Sequence, residues 1–448
     1  MTRSLVTATA VLLSAAALAA CTADTDGETI GSGGGETLEI WWSKGITAQE
    51  DDAARRIIED WAEETGNNVE VTFIVNEDLP TKISSAVQAG NPPDIAFASS
   101  ADAQLTPQLA ADGELADVAD VVEAAGDELL PVGIDALPKG DDGELYAVPV
   151  QLQTLHPFYR ADLTEQAGLP ADVPEDWDGF WSHWTQAQDR LRAQGGDQFG
   201  LGLPASTAAD DGDYLLLWMF NAFGARLVDE AGGPVNTPEN AGRVAAAFRF
   251  QQEILDGGYE PSAVVSWGGP DNNSEFERGN LVMTPNPTLS VTAGARTNDP
   301  EAYEDFGVAP WPTGPDGADV ALPVQVKSAV VFAGSEQLDL SKDLLSYVIE
   351  PEHLQTYMEA CNGVFVPVNT TQWQDPYWES EQYLAAAKDA VTQGVVEPWP
   401  YAVNPAFSQV FSEKVLSRAL GEVLLGQKPA DRAAQDMLDQ IETILGDD

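Results

Sequence analysis

The spacing of apolar and polar positions divides the chain into short strands and amphipathic helices. Positions 37–42 (TLEIWW) alternate partially and read as a first strand, turned by Ser43, Lys44 and Gly45. Ala53, Ile57, Ile58 and Trp61 recur at helical spacing, which predicts a helix over 48–64 that ends at Gly66. VEVTFIV at 69–75 alternates as a second strand. A helix over 80–89 is stopped by Gly90, Asn91, Pro92 and Pro93, and DIAFA at 94–98 reads as a buried strand. Strand, helix, strand, helix, strand in that order implies a parallel sheet.

The run GELYAVPVQLQTLHPFYRADLTEQAGLP at 143–170 begins as a strand, but Pro149 forbids an unbroken central one. Gln151, Gln153, Thr154 and His156 then bring in uncharged hydrogen-bonding groups, and a helix over 161–167 stops at Gly168 and Pro170. A strand that ends in amides and leads to a new helix suits a crossing between two lobes, with the amides facing the gap. Further on, Phe180, Trp181, Trp184, Ala187 and Leu191 share one helical side, and Thr237 with Pro238 opens an amphipathic helix. Helices are predicted over 338–348, 351–360, 407–426 and 430–445. There is no tandem repeat, and no later apolar run is long enough to span a bilayer.

Length changes this picture little: 448 residues allow two or three domains, and an apolar fraction of 44% supports a sizeable core. Charge changes it more. A net charge of −52 argues against nucleic acid and anionic membrane surfaces as partners. A trap for cations and a solvated acidic surface both fit the excess; the acids are scattered, which favours the solvated surface. At the N-terminus, a basic start and an apolar run over 5–17 lead into Leu18-Ala19-Ala20-Cys21. This resembles the lipobox of bacterial lipoproteins, in which cleavage leaves Cys21 lipidated as the first residue. Residues 22–36 are rich in Gly, Ser, Thr and acids, the composition of a flexible tether. The other cysteine, Cys361, reads as a small buried hydrophobe with no disulfide to Cys21.

No His-Glu-x-x-His, phosphate-binding or Gly-x-Ser-x-Gly motif is present, and His156, His183 and His353 lack metal-ligand spacing. No cofactor or metal is expected. Twelve tryptophans stand out instead.

DGELYAVPVQLQTLHPFYRADLTEQAGLP followed by DWDGFWSHWTQA is similar to the hinge signature of extracellular solute-binding proteins of the sugar-binding class, the receptors of ABC importers. AGNPPDIAFASSAD, FERGNLVMTPNPT and NGVFVPVN extend the resemblance, which departs at Arg160, Ala161, Asn280 and Leu281. It implies an α/β chain of two discontinuous Rossmann-like lobes joined by a hinge, the type II periplasmic-binding-protein-like fold. The expected division is a signal peptide over 1–21, a tether over 22–36, one lobe of 37–150 plus 324–350, and another of 151–323 plus 351–448. The crossings are expected near Val150, within 306–323 and at Glu350–Pro351. The resemblance further implies a monomer that performs no reaction. It would bind a carbohydrate ligand, pass it to ABC importer permease subunits, and either touch the outer face of the cytoplasmic membrane through its lipid alone or lie in the periplasm.

Tryptophan offers sugar C–H faces a flat partner, and amides, hydroxyls and carboxylates serve the hydroxyls. Ligands of open α/β sheets bind at the strands' carboxyl ends. That favours Trp42, Ser43 and Lys44 after the first strand, although a solvated turn accounts for Lys44 equally well, and Ser99 and Ser100 after the third. Gln151 and Gln153 are expected at the cleft. Trp267, Asn286 and Trp399 complete the set, the two tryptophans because they lie in Gly-, Pro- and Asn-rich loops. Trp61, Trp177, Trp181, Trp184 and Trp218 read as core. Two alternatives stay open: the same fold taking a cationic solute such as a polyamine, and a secreted carbohydrate-active hydrolase.

Overall fold

The computed structural model describes residues 28–30, 36–45, 47–99, 101–140 and 143–446. Cys21 and Ser100 lie outside the described residues, as does most of the tether. Among the described residues the strands form two sheets.

The first sheet has the order Glu28–Ile30, Asn68–Ile74, Thr37–Ser43, Ile95–Phe97, Leu322–Val331, Val148–Thr154, Val366–Pro367, and Val396–Pro398 pairs beside Leu322–Val331. Thr37–Ser43 runs parallel to both of its neighbours, as the strand–helix–strand order requires. The intervening helix Ala48–Thr65 is fixed at both ends. Thr47 accepts a bond from the Glu50 N–H, and Gly66 closes it in the left-handed conformation at φ 74. Its Ile57, Ile58 and Trp61 are buried.

Val148–Thr154 is buried along its whole length between two partners. Its register with Leu322–Val331 slips where Lys327 and Ser328 face Gln151 and Pro149. Val150 is therefore the extra residue of a bulge, which accommodates a proline without an N–H inside a central strand.

The second sheet has the order Phe199–Leu201, Leu281–Asn286, His156–Arg160, Phe306–Val308. Helices Trp177–Ala193 and Asp211–Ala222 bury Phe180, Trp184 and Trp218, and Trp177 stacks on Trp218 with ring centroids 5.9 Å apart. Helix Pro238–Asp256 starts as expected, with Thr237 accepting from the Asn240 N–H. The C-terminal helices Val415–Leu424 and Ala430–Gly446 pack against it.

The expected crossing points need two corrections. The first falls at Leu155 rather than Val150, because Gln151–Thr154 stays paired with Leu322–Val331 in the first sheet and His156 opens the second. The boundary at Glu350–Pro351 also gives way. Leu354, Tyr357 and Met358 form a buried face on Pro351–Ala360, which packs on helix Ala48–Thr65, and Val366–Pro367 still pairs with Gln151 and Leu152. Phe306–Val308 joins the second sheet and Leu322–Val331 the first, so the chain passes between the sheets over 309–321. Two bonds tie this passage to the first crossing: Trp311 Nε1 donates to the Leu155 carbonyl at 2.8 Å, and Thr154 Oγ1 donates to the Pro323 carbonyl at 3.2 Å.

Candidate functional site

In an antiparallel pair, alternate residues share a face. Gln151 lies opposite Lys327 and Gln153 opposite Gln325, so these four polar side chains form one patch on this pair of strands. The patch borders two adjoining cavities. One, of about 440 Å³, is lined by Ser99, Gln153, Gln325 and Lys327 from the first sheet. Its other walls bring Asp210, Asp211, Asp213 and Tyr214 from the start of helix Asp211–Ala222, Thr288 after the second sheet, and Trp399, Phe411 and Lys414 from the C-terminal part. The second, of about 360 Å³, is lined by Ser43, Lys44, Glu50, Phe97 and Gln151. Asn76, Glu77, Ser99 and Phe365 line both, so the cavities are continuous along one groove.

Hydrogen bonds organise the patch. Lys327 Nζ donates to the Ser99 carbonyl and to Gln325 Oε1, each at 2.6 Å. Tyr214, from the other lobe, donates its hydroxyl to the same Gln325 oxygen. Behind Lys327, the buried Asp102 accepts from Ser328 N at 3.0 Å and Ser328 Oγ at 2.5 Å. Burial pushes the Asp102 carboxyl up and the Lys327 ammonium down, and each charge opposes the shift of the other. Across the cavity Lys414 pairs with Asp210, and with Asp213 at 3.4 Å. Burial pushes Asp213 up to about 6 against the pull of Lys414. Burial lowers Lys414 less than Asp213 and Asp210 raise it, so its net direction is upward. Lys414 adopts φ 54, left-handed for a residue with a side chain. Such strain costs on the order of 1–3 kcal/mol and persists where surrounding contacts hold it, here the two aspartates. Asp211, half-buried beside them, is pushed up to about 7 by burial and then by Asp210.

The structure sorts the sequence candidates. Ser43, Lys44, Ser99, Gln151, Gln153 and Trp399 line the groove. Ser43 donates to Asn76 Oδ1 at 2.9 Å, and Lys44 is exposed at the rim. Gln151 is 0% exposed, yet neither its amide oxygen nor its nitrogen has a partner among the described residues. Trp399 is 3% exposed, packs on Tyr214 and Phe411 at 4.2 and 4.6 Å, and likewise has no partner for its N–H. Three expectations are corrected. Trp42 turns into the core, where its ring meets Phe97 at 4.6 Å and Tyr357 at 6.2 Å. Trp267 is buried as well, beside Gly202, where an added Cβ would stand 2.4 Å from Leu281 and 3.2 Å from the Trp267 ring. Asn286 serves the protein, accepting from Asn272 at 3.2 Å and donating to Thr288 and Ser290, so it shapes the loop that carries Thr288 to the cavity.

A family model described as bacterial extracellular solute-binding protein matches residues 56–388. The chain belongs to that family. A mannitol-binding protein of Pseudomonas aeruginosa is 27% identical over 326 residues, covering 68% of this chain and 70% of that protein. The fold matches an ABC transporter solute-binding protein from Thermotoga lettingae bound with α-D-tagatose, at TM-score 0.74 and 18% identity over 92% of this chain and 100% of that one. It also matches a sugar transporter from Arthrobacter chlorophenolicus with bound laminaribiose, at TM-score 0.74 and 20% identity over 91% and 99%. The architecture is thus the two-lobed type II fold of periplasmic binding proteins. No helix among the described residues of this solute-binding protein is long and apolar enough to cross a membrane.

Several residues of the groove escaped the sequence reading. Gln325 and Lys327 carried the same signal as Gln151 and Gln153, polar residues two apart in an apolar strand. Asp210, Asp211 and Asp213 offered none, being three acids among 73. Tyr214 and Phe411 read as ordinary apolar helix residues, and only the packing of the two lobes brings them to the groove.

Proposed function

We propose that this protein captures a sugar or oligosaccharide in the groove between its sheets and delivers it to the permease of an ABC importer. The observation that carries the reading is the pairing of Gln151 and Trp399. Both are buried, both line the groove, and both have polar atoms without a partner among the described residues. An unmade hydrogen bond of a buried group costs roughly 1–3 kcal/mol, and sugar hydroxyls can donate to and accept from such groups. The aromatic wall suits the apolar face of a sugar ring. The family membership, the mannitol-binding relative and the sugar-bound structural neighbours support the same ligand class.

In this reading the lobes follow the two sheets and bend about Leu155 and the 309–321 passage. The ligand stabilises the closed arrangement by touching both walls. Lipidated Cys21 holds the domain at the outer face of the cytoplasmic membrane on the 22–36 tether, and the protein acts as a monomer. The test is isothermal titration of the soluble domain with mono-, di- and oligosaccharides and polyols. Heat from one carbohydrate series supports the reading. Heat only from a different nutrient class ends the carbohydrate assignment. Mass spectrometry of the membrane fraction should find Cys21 acylated; a Cys21–Cys361 bridge would end the anchor proposal. Cys361 is buried, and burial pushes its thiol up to about 12.

A further inference from the structure

We propose that the groove takes a sugar or polyol bearing an ammonium group, held by the Asp211 carboxylate beside the aromatic wall of Tyr214 and Trp399. The inference rests on the carbohydrate reading above and narrows its ligand class.

The charges lining the larger cavity do not balance. Glu77, Asp210, Asp211 and Asp213 face Lys327 and Lys414. Both lysines are committed. Lys414 is shared by Asp210 and Asp213, and Lys327 is held by the Ser99 carbonyl and Gln325 with Asp102 behind it. Asp211 has no cation at ion-pair distance among the described residues, and its side-chain partner is the uncharged Asn272. Burial and then Asp210 push its carboxyl up; Asn272 and the more distant Lys414 offset them only in part. A neutral hydroxyl donates one hydrogen bond to Asp211 and leaves the charge uncompensated; an ammonium group supplies both the bond and the charge.

The aromatic wall is an independent observation. Trp399 is nine-tenths buried and more, lines this cavity, and its buried N–H has no partner among the described residues, with Tyr214 packed at 4.2 Å. Ring faces attract cations as well as sugar C–H surfaces, and the indole N–H seeks an oxygen acceptor. Ring, hydroxyl and ammonium chemistry thus meet in one cavity.

The experiment is calorimetry on paired probes: glucose with glucosamine, mannitol with 1-amino-1-deoxymannitol, and putrescine as a cation without a sugar. The amino member of a pair should bind roughly tenfold or more tighter than its neutral partner. That preference should shrink with added salt and collapse in Asp211→Asn, which keeps the side chain's shape beside Asn272. The salt series on the unaltered protein gives a readout even if the variant folds poorly. Neutral members binding as tightly as amino ones would overturn the inference and leave the carbohydrate reading standing. Putrescine binding with no sugar binding would overturn both. An absence of heat from every amino probe, in protein that melts cooperatively, also overturns the inference.

Discussion

Gln151 and Asn286 are both buried amides on strands that lead toward the gap between the sheets, and they behave in opposite ways. Asn286 uses its amide fully, on Asn272, Thr288 and Ser290. Gln151, at 0% exposure, has no partner for either end among the described residues. Trp267 and Trp399 repeat the contrast in aromatic form, one filling the space over Gly202 and the other walling the groove. A buried polar group that the fold satisfies belongs to the architecture. One left open at a cavity wall is stability given up for recognition. Location decides as much as satisfaction: Glu260 Oε1 also lacks a partner among the described residues, but it lines neither part of the groove.

The largest expected effect tests the aromatic half of this contrast. Trp267→Ala should cost roughly 3–5 kcal/mol of stability, the usual range for truncating a core tryptophan, with ligand affinity per folded molecule unchanged. Denaturant unfolding and titration on the same preparation check it. A stable variant that has lost its ligand would return Trp267 to the groove.

Glu260 sharpens the role of location. Its Oε2 accepts from Leu203 N at 3.2 Å, and burial pushes its carboxyl well above the usual range. The folded protein therefore keeps a proton that the unfolded chain loses above about pH 4.5. This group's contribution is fully present below that pH and falls as pH rises toward the folded value. Glu260→Gln should remove that decline, so the variant gains melting temperature relative to the parent at pH 8 more than at pH 4. Ligand affinity should not move; if it does, an open polar atom outside the groove also matters to recognition.

Asn286→Ala, by contrast, removes one of the partners of Asn272 and loosens the Thr288 loop. It should cost roughly 1–3 kcal/mol of stability, read by thermal or denaturant melts. A loss of affinity without a loss of stability would erase the distinction from Gln151. For Gln151→Met the signs reverse. Methionine fills a similar volume without polar atoms, so the ligand-free protein should be as stable or more so, while affinity falls roughly tenfold. Destabilisation with intact affinity would show that Gln151 is a framework residue.

These contrasts also mark what the sequence could show. The α/β order, the Thr237 cap and the interruption at Pro149 follow from local chemistry; the structure has the first two and meets the third with a bulge at Val150. Gln151 and Gln153 were legible because amides in an apolar strand are expensive to bury without purpose. Trp42 and Trp267 were not, because ring placement depends on remote residues: Phe97 and Tyr357 for one, Gly202 for the other. The aspartates around Lys414 were hidden by the acidity of the whole chain, and only folding brings 210–213 to 414.

The smallest expected effect isolates one atom. Trp399→Phe keeps an aromatic ring against Tyr214 and Phe411 but removes the indole N–H that has no partner among the described residues. The ligand-free protein loses no hydrogen bond to its own residues, so its melting temperature should change little beyond the smaller ring. The bound state loses one donor to a neutral acceptor, which corresponds to a roughly three- to tenfold weaker affinity. Trp399→Ala removes the ring too and should lower stability and affinity together, because the same side chain supports Tyr214. The pair of variants separates the donor from the wall. If Phe binds as tightly as Trp while Ala does not, the ring alone recognises the ligand. The open N–H of Trp399 would then have no more functional weight than the open oxygen of Glu260.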